Sequence, residues 1–569
     1  MESNSENLKI LRHSAAHLLA HAVQRLFPNT KCTIGPATDD GFFYDLLPEK
    51  NFTLDDLPSI QKMMQVISDE NHPIVHAQIS KSVAREMYAD NPFKLELIDG
   101  IQEDTVGIAV QGDFTDLCRG GHVENTGQIK HFALLTTSGS YWRGDQKNQA
   151  LQRIYGTAFF SNEDLEQYLQ RREQAQLYDH RKLGKELDLF SFHEEGPGFP
   201  FFHPNGIKIL TTLKSYLRGL LNVAHYDEVE TPMMLSDQLW RQSGHYAHYK
   251  ENMYFCHIDT RDFAIKPMNC PGAFLIYADR PHSYRELPLR YAEFGKVHRH
   301  ELSGVLHGLM RVRAFTQDDA HIFCTREQIE QEVLSIVTMT LQLFAKFGFE
   351  KISINVSTRP ENSLGSDELW DIAISSLKNA LQKSGQTFGI NEGDGAFYGP
   401  KIDFGIEDSM GRNWQCGTIQ LDFFQPENFD LTYVSAEGKK ERPVIIHRAI
   451  FGSFERFLGI IIEHYKGKFP FWLAPLQIRV LTITDDQKEY AHSLVVQLHR
   501  RGIRIELEES SDPISGKIKS AQLARVAWMF VIGKKEVANN TVTLRYADGT
   551  QEFGLSLDDI IKKVEKELE

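Results

Sequence analysis

A chain of 569 residues with a net charge of −15 and a pI near 5.9 is several domains long, by the rough guide of ~150 residues each, and is not a generally basic nucleic-acid binder. Its six cysteines, Cys32, Cys118, Cys256, Cys270, Cys324 and Cys416, show no close pairing, which favours a reducing compartment. The N-terminal MESNSENLKI has no basic-then-apolar leader, and runs such as Phe457 to Ile462 fall far short of the ~20 residues that span a bilayer, so a soluble cytoplasmic protein without membrane contact is expected.

Along the chain, residues 8–27 carry apolar positions at helical spacing, and the same helix holds His13 and His17 four apart, hence on one face. Cys118 and His122 repeat that spacing far downstream. Cys/His sets of this kind suit tetrahedral zinc, and on spacing alone these four residues are the chain's stronger metal candidate. Short strands and loops continue to about Phe160, and the polar run SNEDLEQYLQRREQAQLYDHRKLGKELDLF follows as a helical connector. Gly196-Pro197-Gly198-Phe199-Pro200 then punctuates the chain before an apolar-periodic helix, Gly206 to Ala224, and the strand-like Glu228 to Pro232.

Polar chemistry is densest in Tyr291 to Cys324, YAEFGKVHRHELSGVLHGLMRVRAFTQDDAHIFC. Two strand-like runs, one ending Val297-His298-Arg299-His300-Glu301 and one reading Met310 to Phe315, flank a link containing Gly304 and Gly308, which predicts a hairpin. Period-two alternation sends Arg311 and Arg313 to one face and Val312 and Ala314 to the other. A salt-bridged surface strand has this pattern too, but it leaves Phe315-Thr316-Gln317-Asp318-Asp319-Ala320-His321 unexplained. Arg456 opens an apolar helix, Phe457 to Ile462, just after the strand Pro443 to Ile450; a guanidinium there suits a triphosphate, because it pairs bidentately with phosphate and stays charged. Beyond Phe469-Pro470, strands at Ile478 to Ile483, Ile503 to Leu507 and Trp528 to Ile532 alternate with helices as an α/β module. The expected divisions are residues 1–160, 161–185, 186–470 and 471–569.

The wording RHE-SG-L-GL-RVR-FTQDDAHIFC resembles motif 2 of class II aminoacyl-tRNA synthetases, in particular the threonyl-tRNA synthetase family. Val229-Glu230-Thr231-Pro232 is similar to motif 1, that family's dimer-interface element, and Phe451 to Arg456 to motif 3. The resemblance runs from about Leu8 to the C-terminus. It implies an α+β multidomain fold: an N-terminal α+β editing domain, a class II antiparallel-sheet catalytic domain and a C-terminal α/β anticodon-binding domain. It also implies a homodimer acting on ATP, L-threonine and tRNA(Thr). The small ubiquitin-like domain usual at the family's N-terminus is not expected, because this sequence starts too late to hold one.

Carried over residue by residue, the resemblance implies Arg299 on the α-phosphate, Arg311 and Arg456 on the terminal phosphates, and Phe315 stacked on adenine. Gln317, Asp319 and Tyr398 would line the amino acid, with Asp319 accepting its hydroxyl. His245 would lie near the terminal ribose of the tRNA, where an imidazole can take a proton. The resemblance also reverses the metal ranking: Cys270, His321 and His447, which share no spacing, match the segments that hold one Zn²⁺ per chain, with Mg²⁺ accompanying ATP. Threonine and valine have nearly one shape, and a site that must ligate a hydroxyl rejects the analogue lacking it by ~10⁴ or more, whereas serine lacks only a methyl, worth roughly 10–200-fold. A second sieve is then needed. His13, His17, Cys118 and His122 match the family's serine-editing motifs, read there as a metal-free hydrolytic site supported by Lys94, Asp116 and Tyr44. Glu536 and Arg545 fall where the family reads the anticodon. This sequence departs from the family at Gly121, where proline is common, at Ala273, where histidine is common, and over Ser511 to Lys519, SDPISGKIK.

Overall fold

A computed structural model describes residues 2–145, 147–361 and 363–568. Its contacts divide into two compact units, Met1–Glu173 and Gln174–Glu569.

In the first unit, helix α1 (Glu2–Leu26) buries Leu11, Ala15, Leu18, Leu19 and Ala22, one stripe at three- and four-residue intervals. That stripe shares a core with strand β2 and helix α2 through Tyr44, Leu46, Ile60 and Met64. The elements in order are β1 (Lys31–Cys32), β2 (Phe42–Leu47), α2 (Leu57–Asp69), β3 (Ile74–Ser80), α3 (Pro92–Asp99), β4 (Thr105–Gln111), β5 (Phe114–Leu117), β6 (His131–Tyr141) and β7 (Ala150–Phe159). They build a sheet of order β1-β2-β7-β6 and a second of order β3-β4-β5.

The second unit is entered from helix α4 (Asn162–Leu177) and helix α5 (His180–Glu186). Helix α6 (Pro204–Val223) precedes an eight-stranded sheet built from β8 (Asp227–Glu228), β9 (Leu289–His298), β10 (Ala314–Cys324), β11 (Ile352–Ser357), β12 (Gly389–Asn391), β13 (Lys401–Glu407), β14 (Asn413–Asp422) and β15 (Val444–Ala449). Their order is β8-β9-β10-β15-β14-β13-β11-β12, antiparallel throughout except for a parallel pair at each edge. On β10, Ala320, Ile322 and Cys324 face the apolar core that holds Leu213, Ile336 and Ile460 of the surrounding helices. The alternate residues Gln317, Asp319 and His321 take the other face, as a period of two requires. The tail is a five-stranded sheet whose first three strands in sequence, Ile478–Thr482, Ile505–Glu508 and Trp528–Ile532, pair in parallel with helices between them.

One expectation fails locally. The strand expected over Met310 to Phe315 begins only at Ala314. Gly308, at φ +49°, turns the chain so that Met310 N–H donates to the His307 carbonyl (2.9 Å), while Arg313 N–H reaches the carbonyl of Gly198 (2.8 Å). The backbone groups that a strand ladder would use are taken up in this turn, and Arg311 and Arg313 do not share a strand face. The glycine is required there: a Cβ would run into the ring of buried His180, whose Nε2 accepts from Leu309 N–H (3.0 Å).

Candidate active site

Register assembles the central pocket. His321 pairs with His447, which pairs with Gln420; one step along, Asp319 pairs with Ala449, which pairs with Thr418. Two rows of side chains therefore cross three strands on the face opposite the core; Asp319, His447, Gln420 and Thr418 from them line a cavity of about 220 Å³ with Cys270, Arg299, Gln317 and Tyr398, and the His321 ring packs against that of His447, 4.8 Å between centres. Cys270 arrives from outside the sheet, as the first residue of helix Cys270–Ala278. The segment before that helix is pinned on both sides. Lys266 Nζ donates to Glu293 (2.7 Å) and to Thr231 Oγ1 (2.8 Å), binding the motif 1 segment to this loop through a buried ion pair. Asn269 lies over Gly295 and donates from Nδ2 to Asp319 (3.1 Å).

The ligating atoms of Cys270, His321 and His447 lie within 4.8 Å of one another. His447 donates from Nε2 to Asp422 (3.0 Å), which leaves Nδ1 without a hydrogen-bond partner among the described residues; Nε2 of His321 is likewise without one. Two orphaned imidazole nitrogens facing a thiol, one ring oriented by a carboxylate, are what a tetrahedral cation with an open position needs. Burial keeps His321 far below its ordinary range, hence in the neutral form that ligates, and pushes the Cys270 thiol up, with Asp319 and Asp422 adding to the effect.

Arg299 lies beside this group. Its Nε donates to the Pro267 carbonyl (3.3 Å), and its guanidinium is 5.0 Å from the Phe315 ring centre and 5.6 Å from that of Tyr249. Arg456 stands in the first turn of helix Phe454–His464, capped by Ser453, with its buried Nε unpartnered among the described residues and its guanidinium 5.9 Å from the Trp414 ring centre. Arg311 lies apart from the pocket lining, more than half exposed, and pairs with Glu301 (3.0 Å). His245 is buried with Nδ1 sharing a hydrogen bond with Ser243 Oγ (2.6 Å), and burial lowers its pKa to about 4. Tyr398 donates to Gln420 (2.5 Å). Gln420, Thr418 and Asp422 were missed in the sequence, yet they alternate along one strand, and that polar period of two was the signal.

In the first unit a second pocket, about 580 Å³, is lined by His13, His17, Tyr44, Lys94, Asp116 and Cys118. Cys118 Sγ meets His13 Nε2 (3.2 Å) and His122 Nε2 (2.9 Å), and Ser14 Oγ meets His122 Nδ1 (3.1 Å). Asp116, fully enclosed, accepts from Lys94 and from Tyr44 (2.5 Å). Although burial works the other way, the charge and hydrogen bond of Lys94, with the hydrogen bond from Tyr44, hold its carboxyl below the ordinary range. Ligand atoms of His13, His17, Cys118 and His122 also cluster within 4.8 Å, so proximity alone does not rank the two metal candidates. Their nitrogens differ in part: Nδ1 of His17 also lacks a hydrogen-bond partner among the described residues, but Nε2 of His13 and of His122 are engaged with the thiol.

Burial lowers His17 to about 3 and His122 to about 4, so both imidazoles stay neutral while folded. In the unfolded chain they titrate near 6.5. Below that pH the unfolded state binds more protons, so stability in this unit is expected to fall as pH drops from about 6.5 towards 4. Hydrogen exchange of α1 amides at pH 7 and 5, corrected for intrinsic exchange, should register the loss; equal protection would mean that these imidazoles titrate alike in the folded and unfolded chain.

In the tail, Glu536 accepts from Gly533 N–H (2.9 Å) and Thr543 Oγ1 (2.9 Å), which caps its own helix. Arg545 sits on the neighbouring strand with a buried, unpartnered Nε among the described residues.

Three families match along the chain: the threonyl and alanyl tRNA synthetase second additional domain over residues 106–155, the tRNA synthetase class II core domain (G, H, P, S and T) over 254–465, and an anticodon binding domain over 477–567. A threonine–tRNA ligase of Clostridium tetani is 52% identical over 569 residues, 100% of this chain and 89% of that protein. One from Carboxydothermus hydrogenoformans is 52% identical over 545 residues, 95% of this chain and 86% of its own. Among solved structures, the RNA binding domain of threonyl-tRNA synthetase from Cryptosporidium parvum superposes with a TM-score of 0.67 at 45% identity, covering 68% of this chain and 98% of that one. With three domain types in this order and half of all residues shared along its length, the chain belongs to the threonine–tRNA ligase family of class II aminoacyl-tRNA synthetases.

Proposed function

We propose that the chain activates L-threonine with ATP to threonyl-adenylate, transfers it to tRNA(Thr), and hydrolyses seryl-tRNA(Thr). The observation that carries this reading is the convergence of Cys270, His321 and His447, two of which, Cys270 and His447, line one pocket with Asp319 and Arg299. When bound, one Zn²⁺ at those three residues supplies a Lewis acid for the amine and hydroxyl of threonine, which valine cannot satisfy. Two orphaned nitrogens facing the thiol and the Asp422 contact favour this set over the N-terminal one, where His13 and His122 already bond the thiol and His17 Nδ1 is unpartnered among the described residues. Asp319, steadied by Asn269, accepts the threonine hydroxyl, and Gln317 and Tyr398 enclose the side chain.

Arg299 places a fixed positive charge where the threonine carboxylate attacks the α-phosphate and the bond to pyrophosphate breaks. Arg456, and Arg311 once it exchanges Glu301 for a phosphate, take the charge that leaves, with Mg²⁺ accompanying ATP. Phe315 offers its ring to adenine. Neutral His245 accepts the ribose proton during transfer to tRNA. Residues 1–160 edit, 161–185 connect, 186–470 catalyse and 471–569 bind the anticodon, where Arg545 is the freer reader and Glu536 chiefly orders its helix. Motif 1, with Met233 and Met234 about half exposed beside it, supports a homodimer. Free cysteines throughout the described residues support the cytoplasm, and no described helix is long and apolar enough to cross a membrane. Threonine-dependent ATP–pyrophosphate exchange, run beside metal analysis, tests the synthetic half; exchange driven equally well by valine would end this reading.

For the editing half, the pocket's imidazoles, neutral at pH 7, can take a proton from a water attacking the seryl ester, while threonine's extra methyl crowds that water out. His13→Ala with Cys118→Ala is expected to leave threonyl-tRNA formation intact and let seryl-tRNA accumulate. Equal lifetimes of preformed seryl-tRNA with wild type and the double variant would make this domain a tRNA-docking module.

A further inference from the structure

We infer that Arg119 is the residue that grips the RNA backbone at the editing pocket, by pairing with the phosphodiester on the 5′ side of the terminal nucleoside. This rests on the editing reading and names a contact it lacks. Two cationic side chains, Lys94 and Arg119, line the pocket of about 580 Å³. Lys94 is buried and its charge is matched by Asp116. Arg119 lines the pocket yet is exposed, and its guanidinium makes no hydrogen bond or ion pair among the described residues.

The local backbone explains why this side chain is left free. Gly120 and Gly121 follow at φ +101° and +83°, conformations that side chains rarely adopt, and they turn the chain so that His122 folds back onto Cys118. Gly120 N–H donates to Cys118 Sγ (3.3 Å), and Cys118 N–H is held by the Gly107 carbonyl (2.9 Å). Arg119 thus springs from a fixed loop directly beside the hydrolytic cluster.

The substrate's chemistry selects its partner. A seryl-ended RNA brings an α-ammonium, ribose hydroxyls, a base and a phosphodiester to this site, and only the last is anionic. A guanidinium repels the first and matches the geometry of the last with two parallel hydrogen bonds. With the ester at Cys118 and the histidines, the next anionic group along the strand is that phosphate.

The test compares two substrates, seryl-tRNA and the seryl ester of adenosine, which has no phosphodiester. For Arg119→Ala, kcat/KM for seryl-tRNA deacylation is expected to fall roughly tenfold or more, the size of a lost charge-assisted contact, chiefly through KM, and the preference for seryl-tRNA over seryl-adenosine should fall with it. Arg119→Lys should recover part of the loss, and the salt dependence of the alanine variant should be shallower than that of wild type. Equal losses on both substrates would overturn the assignment, because Arg119 would then be holding the Cys118 loop rather than a phosphate; so would an unchanged KM for seryl-tRNA. Wild-type protein that hydrolyses neither substrate would overturn the editing reading itself.

Discussion

Arg299→Ala is expected to lower the turnover of threonine-dependent ATP–pyrophosphate exchange by ~10²–10³, about 2.7–4 kcal/mol, the usual cost of removing a charge contact that tightens in the transition state. The geometry gives the reason. The guanidinium is packed near two aromatic rings and tethered through Nε to the Pro267 carbonyl, so it costs little reorganisation when charge develops on the α-phosphate. Arg299→Lys keeps the charge but loses the fork and should fall between alanine and wild type. Near-normal exchange in the alanine variant would mean that Arg299 only shields Phe315.

Cys270→Ser is expected to abolish the proposed binding of zinc at Cys270, His321 and His447 and, with it, adenylation of threonine. A thiolate is a far better zinc ligand than a hydroxyl, and with one ligand gone the two imidazoles remain as a weak bidentate site. Metal analysis of the purified variant reads the first loss and pyrophosphate exchange the second. Zinc that survives this change and disappears in His13→Ala would move the metal to the N-terminal cluster.

These two residues differ in how far the sequence announced them. Arg299 stood in a dense polar run that could be noticed without knowing any relative. Cys270, His321 and His447 share no spacing, because a loop and the strand register of His321 with His447 bring them together, and register is a long-range property that local pattern does not carry. The resemblance to a family supplied them. Periodicity was a sound guide where one face is buried along a whole element, as in α1 and α6, and in the alternating tail. It misled at Arg311-Val312-Arg313-Ala314, where polar and apolar residues alternate as in a strand while the backbone, turned at Gly308, bonds elsewhere. Glu536 was named only through the resemblance to a family, and the structure adds that its carboxylate accepts from Gly533 N–H and Thr543 Oγ1.

The position of Asn269 over Gly295 bears on how substrate choice could be altered. Any side chain at 295, even a methyl, would collide with the carboxamide and dislodge it from Asp319. Position 295 is therefore closed to tailoring, since a change there disturbs Asn269 and through it Asp319, the proposed hydroxyl acceptor. Thr418 and Gln420 on β14 line the same cavity, as does Tyr398, which donates to Gln420. A library meant to admit a longer or branched β-hydroxy amino acid should be drawn from those three positions, with 269, 295 and 319 held constant.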